Sequence, residues 1–232
     1  MNKKTCKMIS GIFLGICLTV SFSADVFAQQ ETIKVTKTDR IVDGTNVDDP
    51  VWTEASVKDM SLATAPPVHE AISGTAAVLK LKVQAVTDKK NLYVRLKWQD
   101  GSQNARIKGL NDFRDAVAIQ FPMDRKVTTS LFMGEKGKKV RIWRWAADNV
   151  VENLSAEGFG TLTKSETQYL KGAGKYRDGE WVVVISRSLT ASVADEIALG
   201  QTLPVAFAVW DGGNEERDGF KAVTLEWAKM QF

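Results

Sequence analysis

Leu79-Lys80-Leu81-Lys82-Val83-Gln84-Ala85-Val86-Thr87-Asp88-Lys89-Lys90-Asn91-Leu92-Tyr93-Val94-Arg95-Leu96-Lys97-Trp98 alternates apolar and polar residues in two runs separated by a turn. Successive side chains of a strand point to opposite faces, so Leu79, Leu81, Val83 and Ala85 share one face and Lys80, Lys82 and Gln84 the other. Asp88-Lys89-Lys90-Asn91 is a turn-forming run, and Leu92, Val94, Leu96 and Trp98 then repeat the pattern. The stretch predicts a β-hairpin with one buried face.

The same period of two recurs outward from this hairpin. Val117, Ile119 and Phe121 form a strand ended by Pro122, and further strands are expected at Ser130–Met133, Lys139–Trp145, Trp181–Arg187, Val205–Trp210 and Phe220–Ala228. Only Thr190–Leu199 has a helical pattern. Gly158–Gly179, rich in Gly, Thr and Lys, reads as a long surface excursion, a kind of loop that is often functional. Many short strands with one or two short helices predict an all-β protein, a single antiparallel β-sandwich.

The first 28 residues read as a secretory leader. Lys3, Lys4 and Lys7 precede an apolar run from Ile9 to Phe22, and Val26-Phe27-Ala28 fits a cleavage site before Gln29. The run is shorter than the roughly 20 residues of a membrane span, and no twin-arginine pair precedes it. The chain is therefore expected to be exported to the periplasm, with residues 29–232 forming one domain without a membrane span. Both cysteines, Cys6 and Cys17, fall in the leader. Disulfides, thiolate metal sites and covalent c-type haem are thereby excluded from the mature part. Without Lys3, Lys4, Lys7 and Asp25 the remainder holds 28 basic and 27 acidic residues, a balance that gives no sign of nucleic-acid binding. Its seven tryptophans suit either a thick core or a pocket for a flat ligand.

Two residues break the pattern. Lys221 heads an apolar row with Val223, Leu225 and Trp227 on the expected final strand. It is either a strand-end lysine that reaches out to water or a neutral amine bound to a metal. Holding a lysine deprotonated at pH 7 costs about 4–5 kcal/mol, which burial and a metal bond together can supply. Trp210-Asp211-Gly212-Gly213-Asn214-Glu215-Glu216-Arg217-Asp218-Gly219 before it is a glycine-rich loop able to wrap the edge of a cofactor. The second residue is Met133, on the face of Leu131 and followed by Gly134. A methionine in that setting is core filler or a thioether ligand, and Met123, after Pro122, is the other candidate.

The order of segments resembles known families. Ile41-Val42-Asp43-Gly44, Asp48-Asp49-Pro50-Val51-Trp52 and Asn91-Leu92-Tyr93-Val94 resemble the opening of the DOMON and family 9 carbohydrate-binding sandwiches. Asp115-Ala116-Val117-Ala118-Ile119-Gln120-Phe121-Pro122, Phe132-Met133-Gly134, Val140-Arg141-Ile142-Trp143-Arg144-Trp145 and Gly219-Phe220-Lys221-Ala222-Val223 are similar to the haem b γ subunits of type II DMSO-reductase-family enzymes. That group includes chlorate reductase, selenate reductase, dimethylsulfide dehydrogenase and ethylbenzene dehydrogenase. The resemblance runs from about Ile33 to Trp227.

It implies one non-covalent haem b held by a methionine and a lysine, carried here onto Met133 and Lys221. Met123 is a lesser candidate, as is His69, the sole imidazole, in the loop Ala65-Pro66-Pro67-Val68-His69-Glu70. The implied partners are a molybdopterin catalytic α subunit, an iron–sulfur β subunit and a periplasmic cytochrome c. The implied role is electron transfer without catalysis by this subunit, in a complex closest to the chlorate or selenate reductase type. The alternative is a carbohydrate-binding module with Trp143, Trp145 and Trp210 as stacking platforms. A hydrolase has no support: G-x-S-x-G is absent, and no carboxylates are paired at a recognisable spacing.

Overall fold

The computed structural model describes residues 30–67, 74–190 and 196–232. In chain order the strands begin with β1 (Thr32–Lys37), β2 (Lys58–Ser61), β3 (Ala63–Thr64), β4 (Lys80–Thr87) and β5 (Asn91–Gln99). They continue with β6 (Ala116–Pro122), β7 (Val140–Ala146), β8 (Val151–Ala156), β9 (Thr163–Lys164) and β10 (Lys171–Arg177). The last four are β11 (Glu180–Ser188), β12 (Leu203–Trp210), β13 (Ala222–Val223) and β14 (Ala228–Gln231). Helical structure among the described residues amounts to two short 3-10 turns, Pro50–Thr53 and Gly212–Asn214.

The strands make two layers. One runs β10-β11-β5-β4 and the other β14-β12-β6-β7-β8-β9, with β1 between them. Thr32–Lys34 of β1 pair with β14, and Val35–Lys37 pair with β4, so one strand crosses from layer to layer. Both pairings of β1 are parallel; the remaining ladders are antiparallel. The hairpin read from the sequence is present: Thr87 lies opposite Leu92, and Asp88 Oδ1 accepts the backbone N–H groups of Lys90 and Asn91. Its apolar face, Leu81, Val83, Leu92, Val94 and Leu96, packs against Val117, Ile119, Phe121, Trp143 and Phe207 of the other layer. That is the sandwich core. Trp143 and Trp145 are fully buried in it, with Phe121 set edge-on to Trp143 and Trp145 edge-on to Trp181.

Three expectations are corrected. Ser130–Met133 is a turn rather than a strand, with Met133 at φ +64° and Gly134 at φ +76°. The chain reverses here because Gln120 Nε2 donates to Leu131 O and Gly134 N–H returns to Ser130 O. Phe220–Ala228 is not one strand. It splits into β13 and β14, both paired with β12, and holds two more residues than β12 does between the pairs Ala208–Val223 and Val205–Ala228. The excess bulges out at Leu225 and Glu226, which are exposed, after Thr224 has exchanged hydrogen bonds with Phe207. Finally, Gly158–Gly179 is not loop throughout, since it contains β9 and β10, the latter paired along its whole length with β11. Its glycines reflect packing: a Cβ on Gly174 would lie 2.2 Å from the Trp145 ring. Of the expected helix Thr190–Leu199, residues 191–195 lie outside the described residues, and Glu196–Leu199 are irregular.

Candidate functional site

The site lies on the outer face of the second layer, where alternate residues of β6, β7, β8 and β12 point away from the core. Ala118 stands opposite both Ala208 and Arg144, and Gln120 opposite Ala206 and Ile142. Ile142 and Arg144 in turn face Leu154 and Glu152. The three alanines keep this floor low, and a cavity of about 690 Å³ opens above it. Its walls include Leu131–Met133, Phe159–Lys164, Phe113–Arg114 and Arg217–Lys221, with Ala65, Pro66 and Ile107 at the margin.

Met133 and Lys221 both line this cavity. Met133 is half-buried and packs with Leu131 against the apolar cluster on the outer face. Its turn is fixed at three points: Gln120 holds Leu131 O, Gly158 N–H donates to Met133 O at 2.8 Å, and Trp227 Nε1 donates to Thr129 O at 3.0 Å. Seven non-glycine residues among those described have positive φ, and Met133 is the one apolar side chain in that group. A left-handed backbone at such a residue is uncommon and stores of order 1–3 kcal/mol.

Lys221 directly precedes β13, and its carbonyl accepts Ala65 N–H. Its Nζ donates to Asp218 O at 3.1 Å and lies 5.0 Å from the centre of the Trp210 ring. No salt bridge among the described residues involves it. Burial pulls its pKa down to about 8; Asp218 opposes the fall and Arg144 adds to it. The guanidinium of Arg144 shares the Trp210 ring at 5.8 Å and pairs with Glu152 at 3.1 Å. Arg114, Lys164 and Arg217 add positive charge at the walls, while Glu216 is buried and receives the backbone N–H groups of Ala77 and Asp211.

The other candidates fall elsewhere. Met123 packs against the sandwich core and is not among the cavity residues. His69 lies outside the described residues. Trp143 and Trp145 belong to the core and cannot serve as surface platforms, whereas Trp210 lines the cavity. The alanine floor, Gln120 and Arg144 escaped the sequence reading. The signal for the alanines and Gln120 was the alternation inside Ala116-Val117-Ala118-Ile119-Gln120 and Val205-Ala206-Phe207-Ala208-Val209, where every outward position is alanine or polar.

Beside the cavity an acidic cluster ties three loops together. Asp115, fully buried at the start of β6, accepts the N–H groups of Gly212 and Asn104 and the indole of Trp181. Asp100 and Asp211 join it, all three offering carboxylate oxygens within 4.8 Å of one another. Burial, helped by the two neighbouring charges, pushes the Asp100 carboxyl up to about 7.

The family described as ethylbenzene dehydrogenase matches residues 49–165 and 157–222. The chlorate reductase gamma subunit of Ideonella dechloratans is 43% identical over 184 residues, 78% of this chain and 77% of its own. The dimethylsulfide dehydrogenase gamma subunit of Rhodovulum sulfidophilum is 34% identical over 218 residues, 85% of this chain and 80% of its own. A Haloferax mediterranei protein whose name describes a respiratory nitrate reductase heme subunit is 36% identical over 183 residues, 78% of this chain and 66% of its own. Among solved structures, a family 9 carbohydrate-binding module of Caldicellulosiruptor kristjanssonii in complex with glucose covers 87% of this chain and 95% of its own. Its TM-score is 0.54 at 12% identity, a likeness of the sandwich fold alone. No helix among the described residues is long and apolar enough to cross a membrane. By these matches the chain belongs to the ethylbenzene dehydrogenase family, alongside the gamma subunits of oxidoreductase complexes.

Proposed function

We propose that this chain is an exported, periplasmic haem b subunit that carries electrons and catalyses no reaction itself. It exchanges them between a soluble cytochrome c and the iron–sulfur and molybdopterin subunits of a complex of the chlorate or selenate reductase type. Met133 and Lys221 are its axial ligands. The observation that carries this reading is the shared cavity: the two side chains singled out in the sequence line one slot with an apolar floor and a cationic edge. The relatives' names, two gamma subunits and one heme subunit, agree with it.

The residues present fit the group. About 690 Å³ falls within the range of roughly 300–1,000 Å³ typical of cofactor and ligand pockets. Ala118, Ala206, Ala208, Ile142 and Leu154 offer a flat apolar surface, and Trp210 an aromatic wall. Lys221 supplies an amine whose proton burial has already loosened, and Met133 a thioether held by its fixed turn. Arg114, Lys164 and Arg217 suit the two carboxylates of a haem. Bound there, haem b supplies a one-electron iron couple, with a potential that methionine ligation tends to raise. With both Met133 and Lys221 bound to it, the iron would keep no place for a substrate, so the reaction of the complex would belong to another chain.

Reconstitution of residues 29–232 with haemin tests this. A Soret band at one haem per chain, removed completely by acid–acetone extraction, is expected. No Soret band, or haem retained on the polypeptide, would overturn the reading.

A further inference from the structure

We infer that Arg144, held on the cavity floor by Glu152, is a fixed positive charge that raises the reduction potential of the haem site. The inference rests on the reading of the cavity as a haem site. Arg144 is an outward residue of β7, with Ala118 of β6 opposite it on one side and Glu152 of β8 on the other. β12 lies beyond β6, where Ala208 stands opposite Ala118 and Trp210 opposite Ala116. The side chains of Arg144 and Trp210 therefore meet across β6, whose outward residues there are the small Ala116 and Ala118. The guanidinium comes to 5.8 Å from the centre of the Trp210 ring, while its Nη1 keeps Glu152 Oε2 at 3.1 Å.

Lys221 comes to the same ring. Its Nζ lies 5.0 Å from the ring centre, and Asp218 O accepts both that amine and the Trp210 indole. One indole thus joins Arg144 to the lysine read as an iron ligand, and the charge of Arg144 is felt at the amine, whose proton it helps to drive off. The other cations of the walls are placed differently. Arg114 and Arg217 turn to Asp148 and to the Phe113 ring. The Lys164 side chain is 59% exposed against 30% for Arg144, and water and salt screen an exposed charge more. Oxidised haem iron carries one more positive charge than reduced iron. A cation held beside it in a partly sheltered cavity opposes that added charge and so favours the reduced form. Glu152, the carboxylate that pairs with Arg144, acts in the opposite sense.

Two neighbouring residues of opposite charge give the test its sign. Midpoint potentials of the haem-loaded protein and its variants are measured by spectroelectrochemical titration, and the absorption spectrum reports iron ligation in each. Arg144→Gln should lower the potential and Glu152→Gln should raise it, both with the six-coordinate spectrum of the parent. Arg144→Lys keeps the charge and should stay closer to the parent than Arg144→Gln does. Damage to packing alone would move both glutamine variants in one direction. Shifts of the same sign, or no shift in either, would therefore overturn the role of Arg144 and leave the haem reading standing. Should Arg144→Gln fail to load haem, Glu152→Gln decides by itself: a raised potential supports the role, and an unchanged or lowered one overturns it. A parent protein that takes up no haem would sink the haem reading, and this role with it.

Discussion

Lys221 is where the chemistry of the cavity becomes measurable through pH. Its amine must shed a proton before it offers a lone pair. Burial lowers its folded pKa to about 8 from 10.5. Haem affinity should therefore rise by up to about tenfold per pH unit as pH approaches 8, and level off above it. Affinities from haem titrations between pH 6 and 9 check this, and a flat profile would contradict ligation by Lys221. In the haem-free chain the sign is also fixed. Between pH 8 and 10.5 the unfolded lysine still holds a proton that the folded one has lost, so stability rises across that window. Lys221 stood out in the sequence as a lysine at the head of an apolar row, but a strand-end lysine reaching out to water explained it as well, and the likeness to a known motif was needed to single it out. Met133 was legible only through its likeness to a known motif, since a lone methionine on an apolar face looks like filler. Ala118, Ala206 and Ala208 were invisible as a site because small residues announce only that something else occupies the space.

At the scale of elements, the turn that presents Met133 depends on Gly134. Gly134 sits at φ +76°, and a Cβ there would lie 2.6 Å from Lys138 O and 3.1 Å from Ala156 O, both backbone atoms that cannot swing aside. Gly137 has a similar φ of +80° but open space around it. Gly134→Ala should cost more than about 1 kcal/mol, or about 2–4 °C of melting temperature per kcal/mol, and should weaken haem binding. Gly137→Ala should cost less and leave haem binding intact. Thermal melts of the pair decide, and equal losses would contradict the close approach. The strands β4, β5, β6, β7, β11 and β12 were placed correctly, the first three from period two, although Trp181-Val182-Val183-Val184-Ile185 in β11 is apolar throughout and buried on both faces. The misread segments have tertiary causes. β10 carries glycines because Trp145 fills the space beside Gly174. The Phe220–Ala228 run alternates well, yet two residues in excess of its partner strand force it to bulge.

Across the whole molecule, the two layers are joined by a buried charge cluster as well as by the apolar core. Glu196 lies 2.8 Å from Arg187 of β11 and 3.3 Å from Arg141 of β7, with all three side chains at most 2% exposed. Tyr169 donates its hydroxyl, and Asn153 its amide at 3.1 Å, to the same carboxylate. Glu196→Gln takes the negative charge from beside the Arg187 guanidinium. The expected loss is about 3–5 kcal/mol, read by chemical denaturation, and a loss below about 1 kcal/mol would contradict a structural role for the cluster. None of this was legible in the sequence, nor was the crossing of β1 between layers, because both depend on contacts between distant segments. The central claim, a haem held by Lys221 and Met133, is tested most directly by the absorption spectrum of haem-loaded Lys221→Arg beside that of His69→Ala. A guanidinium keeps its proton and has no lone pair to give, so Lys221→Arg should lose the six-coordinate spectrum while His69→Ala retains it. An unchanged spectrum in Lys221→Arg and a collapsed one in His69→Ala would move the ligand to His69.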